Sequence, residues 1–133
     1  MTTFVDSSAF VTLLDDADER FDAAARWLDR VAVEEDEPLL THNYVVVESI
    51  AVIHRRMGPT AVRAFVDDLL PVCEVRFVDE ELHELAIAAY LAGLNREISF
   101  VDRMSFELMR AEGVRRAFAF DPDFPQQGFD TVP

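Results

Sequence analysis

The sequence predicts an α/β protein: a three-layer sandwich with a central, mainly parallel sheet flanked by helices. Two observations predict it. Short apolar runs at 2–5, 39–41, 75–78 and 117–120 alternate with longer stretches whose apolar residues recur at helical spacing. Two of those runs, Thr2-Thr3-Phe4-Val5 and Ala117-Phe118-Ala119-Phe120, are apolar without a regular polar alternation, as expected of strands covered on both faces. A chain of 133 residues suits one domain, and no repeat or low-complexity linker divides 1–133.

The elements follow in order. Strand 2–5 ends at Asp6, after which Ser7 and Ser8 are candidate caps for a helix through Phe10, Val11, Leu13 and Leu14. Phe21, Ala24, Ala25, Leu28 and Val31 keep helical spacing within a helix predicted from about 17 to 33. Glu34-Glu35-Asp36-Glu37-Pro38 is a solvated loop before strand 39–41. Asn43 is the predicted N-cap of a helix that contains Val45-Val46-Val47 and stops before Gly58-Pro59. The β-branched run favours a strand locally, but Val47, Ile50, Ala51 and His54 keep the three–four spacing of a helix. A helix over 60–70 ends at Pro71, and strand 75–78 follows. Asp79 caps a helix reaching Gly93, and Ser99 opens another reaching Gly113. Strand 117–120 ends at Asp121, and 128–132 offers an edge strand.

Composition narrows the classes. Half the residues are apolar and eleven are Phe, which favours a folded core over disorder. No apolar run approaches the roughly 18 residues of a spanning helix, and the start lacks the basic and apolar regions of a signal peptide. Cys73 is alone, so there is neither an internal disulfide nor a Cys-based zinc site, and a cytoplasmic location is expected. The formal net charge is −14, from 26 acidic and 12 basic residues, and all the basic ones are Arg. A Lys-free acidic surface points to a salty cytoplasm, where the Debye length shrinks to about 3 Å at 1 M salt and self-repulsion is tamed. A halophilic host is therefore expected. The Arg residues are uneven: Arg55-Arg56 close one helix, while Arg103, Arg110, Arg115 and Arg116 crowd a later stretch.

Chemistry is expected beyond the carboxyl ends of the strands, where open α/β sheets bind ligands. Asp6 and Asp121 each follow an apolar strand. If those strands are neighbours, their like charges demand a raised pKa or a cation. With no Lys in the chain, a divalent cation is the expected counter-ion, and oxygen ligands select Mg²⁺ or Mn²⁺ over zinc. Asp102, at a helix start, and Glu48, within an apolar helix, are the other candidates. Each acid has a plainer explanation: Asp6 as a helix cap, Ser99-x-x-Asp102 as a capping box, Asp121-Pro122-Asp123 as a turn, Glu48 as a solvated side chain. The four together fit one location. His42, His54 and His83 fall away from these positions and are expected to be ordinary surface or core residues.

The ordered set of motifs resembles the PIN-domain family, and within it the VapC-like toxins of toxin–antitoxin pairs. The resemblance spans nearly the whole chain. It rests on Phe4-Val5-Asp6-Ser7-Ser8-Ala9, Glu48, Ser99-Phe100-Val101-Asp102 and Ala119-Phe120-Asp121-Pro122-Asp123-Phe124. It implies an endoribonuclease dependent on Mg²⁺ or Mn²⁺, acting on RNA, forming a homodimer and inhibited by an antitoxin protein. Carried over, the family's acids are Asp6, Glu48, Asp102 and Asp121, with Asp6 and Asp102 as the foremost direct metal ligands and Asp123 as a fifth member. Basic residues are scarcer than in the family. Two other acid-bearing α/β classes fit poorly: a phosphoacceptor receiver needs a Lys, and a haloacid-dehalogenase-like phosphatase wants Asp-x-Asp where this chain has Asp6-Ser7-Ser8. The competing class is a non-catalytic acidic module that binds a protein partner or a structural divalent cation.

Overall fold

The computed structural model describes residues 1–133. Five parallel strands form one sheet: β1 (Thr3–Val5), β2 (Leu39–His42), β3 (Glu74–Arg76), β4 (Arg116–Phe118) and β5 (Asp130–Val132). Their order is β3-β2-β1-β4-β5, with Phe4 opposite Leu40 on one side and Ala117 on the other. Every residue of β1 and β2 is buried. Because successive strand residues point to opposite faces, both faces of the sheet are covered, as expected for parallel strands. The tail expected to be an edge strand is β5, and it pairs in parallel with β4.

The covering helices are α1 (Ser7–Leu13), α2 (Phe21–Leu28), α3 (Asn43–Met57), α4 (Pro59–Ala64), α5 (Glu80–Ala92) and α6 (Phe100–Glu112), with a short α7 (Asp123–Gln126). Helix α1 packs on α3, and α5 on α6. Phe4, Phe10, Phe65, Phe106, Phe118 and Phe124 are fully buried among them. Truncating any one to Ala removes about 3–5 kcal/mol of stability. Trp27 is buried too, its ring 4.6 Å from that of Phe118, so α2 is pinned to the sheet by a residue outside the apolar set read from the sequence.

Several boundaries differ from the sequence reading. The second helix starts at Phe21 instead of near 17, because the Asp15 and Asp18 side chains accept from the amides of Ala17 (3.1 Å) and Arg20 (2.8 Å) and hold turns there. Beyond Leu28 the chain winds more widely over Asp29–Glu34, and the predicted helix 60–70 does the same over Phe65–Leu69. The cap of α3 is His42: its Nδ1 accepts from the Val45 amide at 3.2 Å. Asn43, expected in that role, accepts instead from the Val78 amide at 2.7 Å, tying α3 to the segment after β3. The cap of α1 is Asp6, not Ser7 or Ser8. Strands β3 and β4 end two residues earlier than predicted, so Asp121 lies on the loop beyond β4.

Candidate active site

After β1 the chain builds outward through β2 to β3, then returns to place β4 on the other side of β1. The order therefore reverses between β1 and β4, the crevice where open α/β sheets bind ligands. Asp6 is the first residue past β1, and its amide donates to the Phe118 carbonyl at 3.1 Å. Its carboxylate turns back over α1, where Oδ2 accepts from the Ser8 amide (3.2 Å) and the Ser8 hydroxyl (2.6 Å). The Ser8 Oγ accepts in turn from the Phe120 amide at 3.0 Å, so one hydroxyl joins the ends of β1 and β4. Asp6 Oδ1 has no partner, although the residue is only 2% exposed. Burial pushes its pKa up to about 6 against the Ser8 hydrogen bonds, and the Glu48 charge adds to the rise.

Asp102 arrives from the first turn of α6, its amide donating to Ser99 Oγ at 3.1 Å. Half of the expected capping box thus exists, and the carboxylate is free to face the crevice. It is 8% exposed, and its pKa is pushed up to about 8, chiefly by burial and then by the charges of Asp6, Asp121 and Glu48 and hydrogen bonding with Asp121. Asp121 and Asp123 enter from the loop beyond β4, where Asp121 Oδ1 accepts from the Asp123 amide at 2.9 Å. The pKa of Asp123 is raised by partial burial and by Asp121, with Arg103 opposing. One carboxylate oxygen from each of Asp102, Asp121 and Asp123 lies within 4.8 Å of the others. Glu48, midway along α3, is half-buried, and its Oε1 accepts from the Ser7 hydroxyl at 2.6 Å.

All five acids line one cleft of 390 Å³. A larger depression of 480 Å³ beside α4, lined by His54, Pro59 and Arg63 among others, brings no group of acids together. The cleft's acid ligands are all oxygens, their charges help to raise the pKa of Asp6, Asp102 and Asp123, and a buried carboxylate oxygen lacks a partner. Such an arrangement demands either shared protons or a cation. It fits a hard divalent metal ion, and it offers no thiolate or imidazole to a softer one.

The acids that the sequence singles out therefore meet in one place. The tightest trio includes Asp123, which the motif comparison ranks last, while Asp6 and Glu48 stand around it. Histidine contributes nothing to the cleft: His42 is buried in the core with Nε2 2.9 Å from Ser105 Oγ, His83 pairs with Tyr44, and His54 is exposed. Sequence reasoning missed Thr12 and Arg20, and it left Arg56 as undifferentiated surface charge; all three line the cleft. It also missed the setting of Arg103, which is 8% exposed and packs over Gly93, where any Cβ would sit 2.3 Å from its Nη2.

The fold and cleft define a parallel α/β protein with an acidic cleft suited to a divalent metal ion at its switch point. The sequence matches the PIN domain over residues 3–130, and the chain belongs to the PIN-domain family. It is 37% identical over 131 residues to the 23S rRNA-specific endonuclease VapC20 of Mycobacterium tuberculosis, covering 97% of this chain and 96% of that protein. The crystal structure of Mycobacterium tuberculosis VapC20, described as a sarcin–ricin loop cleaving toxin, superimposes with a TM-score of 0.85 at 34% identity and full coverage of both chains. VapBC2 from Rickettsia felis, bound to a DNA fragment from its promoter, shares the fold at a TM-score of 0.75 and 11% identity, over 98% of this chain and 97% of that one.

Proposed function

We propose that this chain, as a single PIN-like domain over 1–133, is a divalent-metal-dependent endoribonuclease and the toxin of a toxin–antitoxin pair. The observation that carries this reading is the convergence of Asp6, Glu48, Asp102, Asp121 and Asp123 at the β1–β4 crevice of a PIN-domain chain similar to an rRNA endonuclease. Asp102, Asp121, Asp123 and Asp6 hold the cation, for which Mg²⁺ or Mn²⁺ suits the oxygen donors. When bound, that ion supplies Lewis-acid activation of water and neutralises charge on the phosphoryl group. Glu48, aimed by Ser7, orients the attacking water from the α3 side. Ser8 holds Asp6 in register with the loop after β4. Ribosomal RNA is the proposed substrate, following the similarity to VapC20. An antitoxin protein with a basic group over the acids is the proposed inhibitor, the active form is a homodimer, and the setting is a halophilic cytoplasm.

The test is incubation of the protein with ribosomal RNA in molar salt with Mg²⁺, Mn²⁺ or EDTA. Discrete cleavage that needs metal and is lost in Asp6→Asn is the expected result. A folded protein that binds metal and cuts no RNA would replace this reading with the non-catalytic module.

A further inference from the structure

The wall of the cleft is not wholly acidic. Thr12, Arg20 and Arg56 line it together with the carboxylates. Thr12 is 1% exposed, and its hydroxyl has no hydrogen-bond partner. A threonine inside a helix commonly satisfies that hydroxyl on the carbonyl four residues back. Here it is left without a partner, on a residue that lines the cleft.

Arg20 is held in place from two sides. Its Nε and Nη2 donate to the two oxygens of Asp18 at 3.1 and 2.9 Å, and its guanidinium lies 4.6 Å over the ring of Phe120, the residue before Asp121. That leaves the Nη1 donors and one on Nη2 uncommitted. Arg56, in the last turn of α3, is exposed and makes no ion pair within 4 Å. Its guanidinium is therefore free to meet an anion that enters the cleft.

We infer that Thr12, Arg20 and Arg56 form a subsite for a backbone phosphate of the RNA, adjacent to the phosphate that is cleaved. A hydroxyl donor and guanidinium forks suit a tetrahedral anion with several acceptor oxygens. The subsite also answers an electrostatic difficulty: the chain as a whole repels a polyanion, so the strand needs local cations beside the acids to be drawn in. A basic partner protein would be drawn to the carboxylates and away from these arginines. The inference rests on the ribonuclease reading above.

Its test is steady-state RNA cleavage by the metal-loaded protein over a salt series, for wild type, Arg20→Ala, Arg56→Ala, Arg20→Lys and Thr12→Val, with Arg26→Gln as a control outside the cleft. Each arginine-to-alanine change should raise KM roughly tenfold or more, the weight of one charge-assisted hydrogen bond, with kcat held within about twofold. It should also lower the slope of log kcat/KM against log salt by about 0.7, one phosphate contact on a single strand. Arg20→Lys should restore the slope but not KM, because the fork is lost while the charge is kept. Thr12→Val should raise KM without moving the slope. Arg56→Ala alters an exposed helix end and carries the test alone if Arg20→Ala fails to fold. Values of KM and slope equal to those of Arg26→Gln would overturn the subsite and leave these arginines to a protein partner. A fall in kcat at unchanged KM would overturn it too. If wild type cuts RNA and the variants behave as wild type, only the subsite falls; if wild type cuts none, the ribonuclease reading falls with it.

Discussion

Asp6→Asn should make the metal-free protein more stable at alkaline pH. In the folded chain the Asp6 pKa is raised from 3.8 to about 6, chiefly because the carboxylate is buried. The native state then holds its proton more tightly than the unfolded state, so stability falls as pH rises through that window and stays lower above it. That rise corresponds to about 3 kcal/mol of stability lost once the site is ionised above pH 7. Asparagine cannot ionise, and its carbonyl still accepts from the Ser8 amide and hydroxyl. The assay is urea unfolding in EDTA and constant molar salt, followed by fluorescence of Trp27, the single tryptophan, which is 5% exposed. At pH 4 the two proteins should nearly coincide, while at pH 8 the variant should lead by about 2–3 kcal/mol. Mg²⁺ at 100 times its dissociation constant should then add about 2.7 kcal/mol to wild type alone and cancel most of the variant's lead. A variant no more stable than wild type at pH 8, or a difference independent of pH, would refute the reasoning.

Two further changes report on the frame around the site. Burial pushes the His42 pKa down to about 3, so the unfolded chain takes up a proton below 6.5 while the native one does not. Its contribution is intact above pH 6.5 and is lost as pH falls toward 3, up to about 5 kcal/mol, and His42→Asn should flatten that acid limb in unfolding curves. Gly93→Ala should displace the Arg103 guanidinium and lower stability by about 1–3 kcal/mol in thermal melts, whereas an unchanged melt would mean that the arginine moves aside freely.

The fold was largely legible because its strong signals are local: Asp79 and Ser99 cap α5 and α6 as read, and Gly113 closes α6 in a left-handed conformation. The elements were misjudged where side chains and distant partners decide. His42 outcompetes Asn43 as a cap because its buried ring also reaches Ser105, sixty-three residues away. For the site, Asp6 and Asp102 stood out as acids at element ends, and Glu48 as an acid among apolar neighbours. Their convergence depends on β1 lying beside β4, a long-range pairing that local pattern does not encode. Asp123 looked like part of a turn; the short α7 that begins there turns it toward Asp121. Thr12 and Arg20 carried no signal, and Arg56 only that of a clustered surface charge, because which side of a helix or turn faces the crevice depends on packing.

The most direct test of a cation site is to count the protons released when the metal binds. At pH 7 Asp102, with its pKa raised to about 8, keeps its proton in the metal-free protein, while Asp6, near 6, has mostly lost its own. Calorimetric titration of Mn²⁺ in buffers of different ionisation enthalpy should therefore show about one proton released per chain at pH 7 and nearly none at pH 9. Asp102→Asn should abolish both the release and tight binding. Binding that releases no proton at pH 7, or that survives in Asp102→Asn, would contradict the account of these carboxylates as the metal centre.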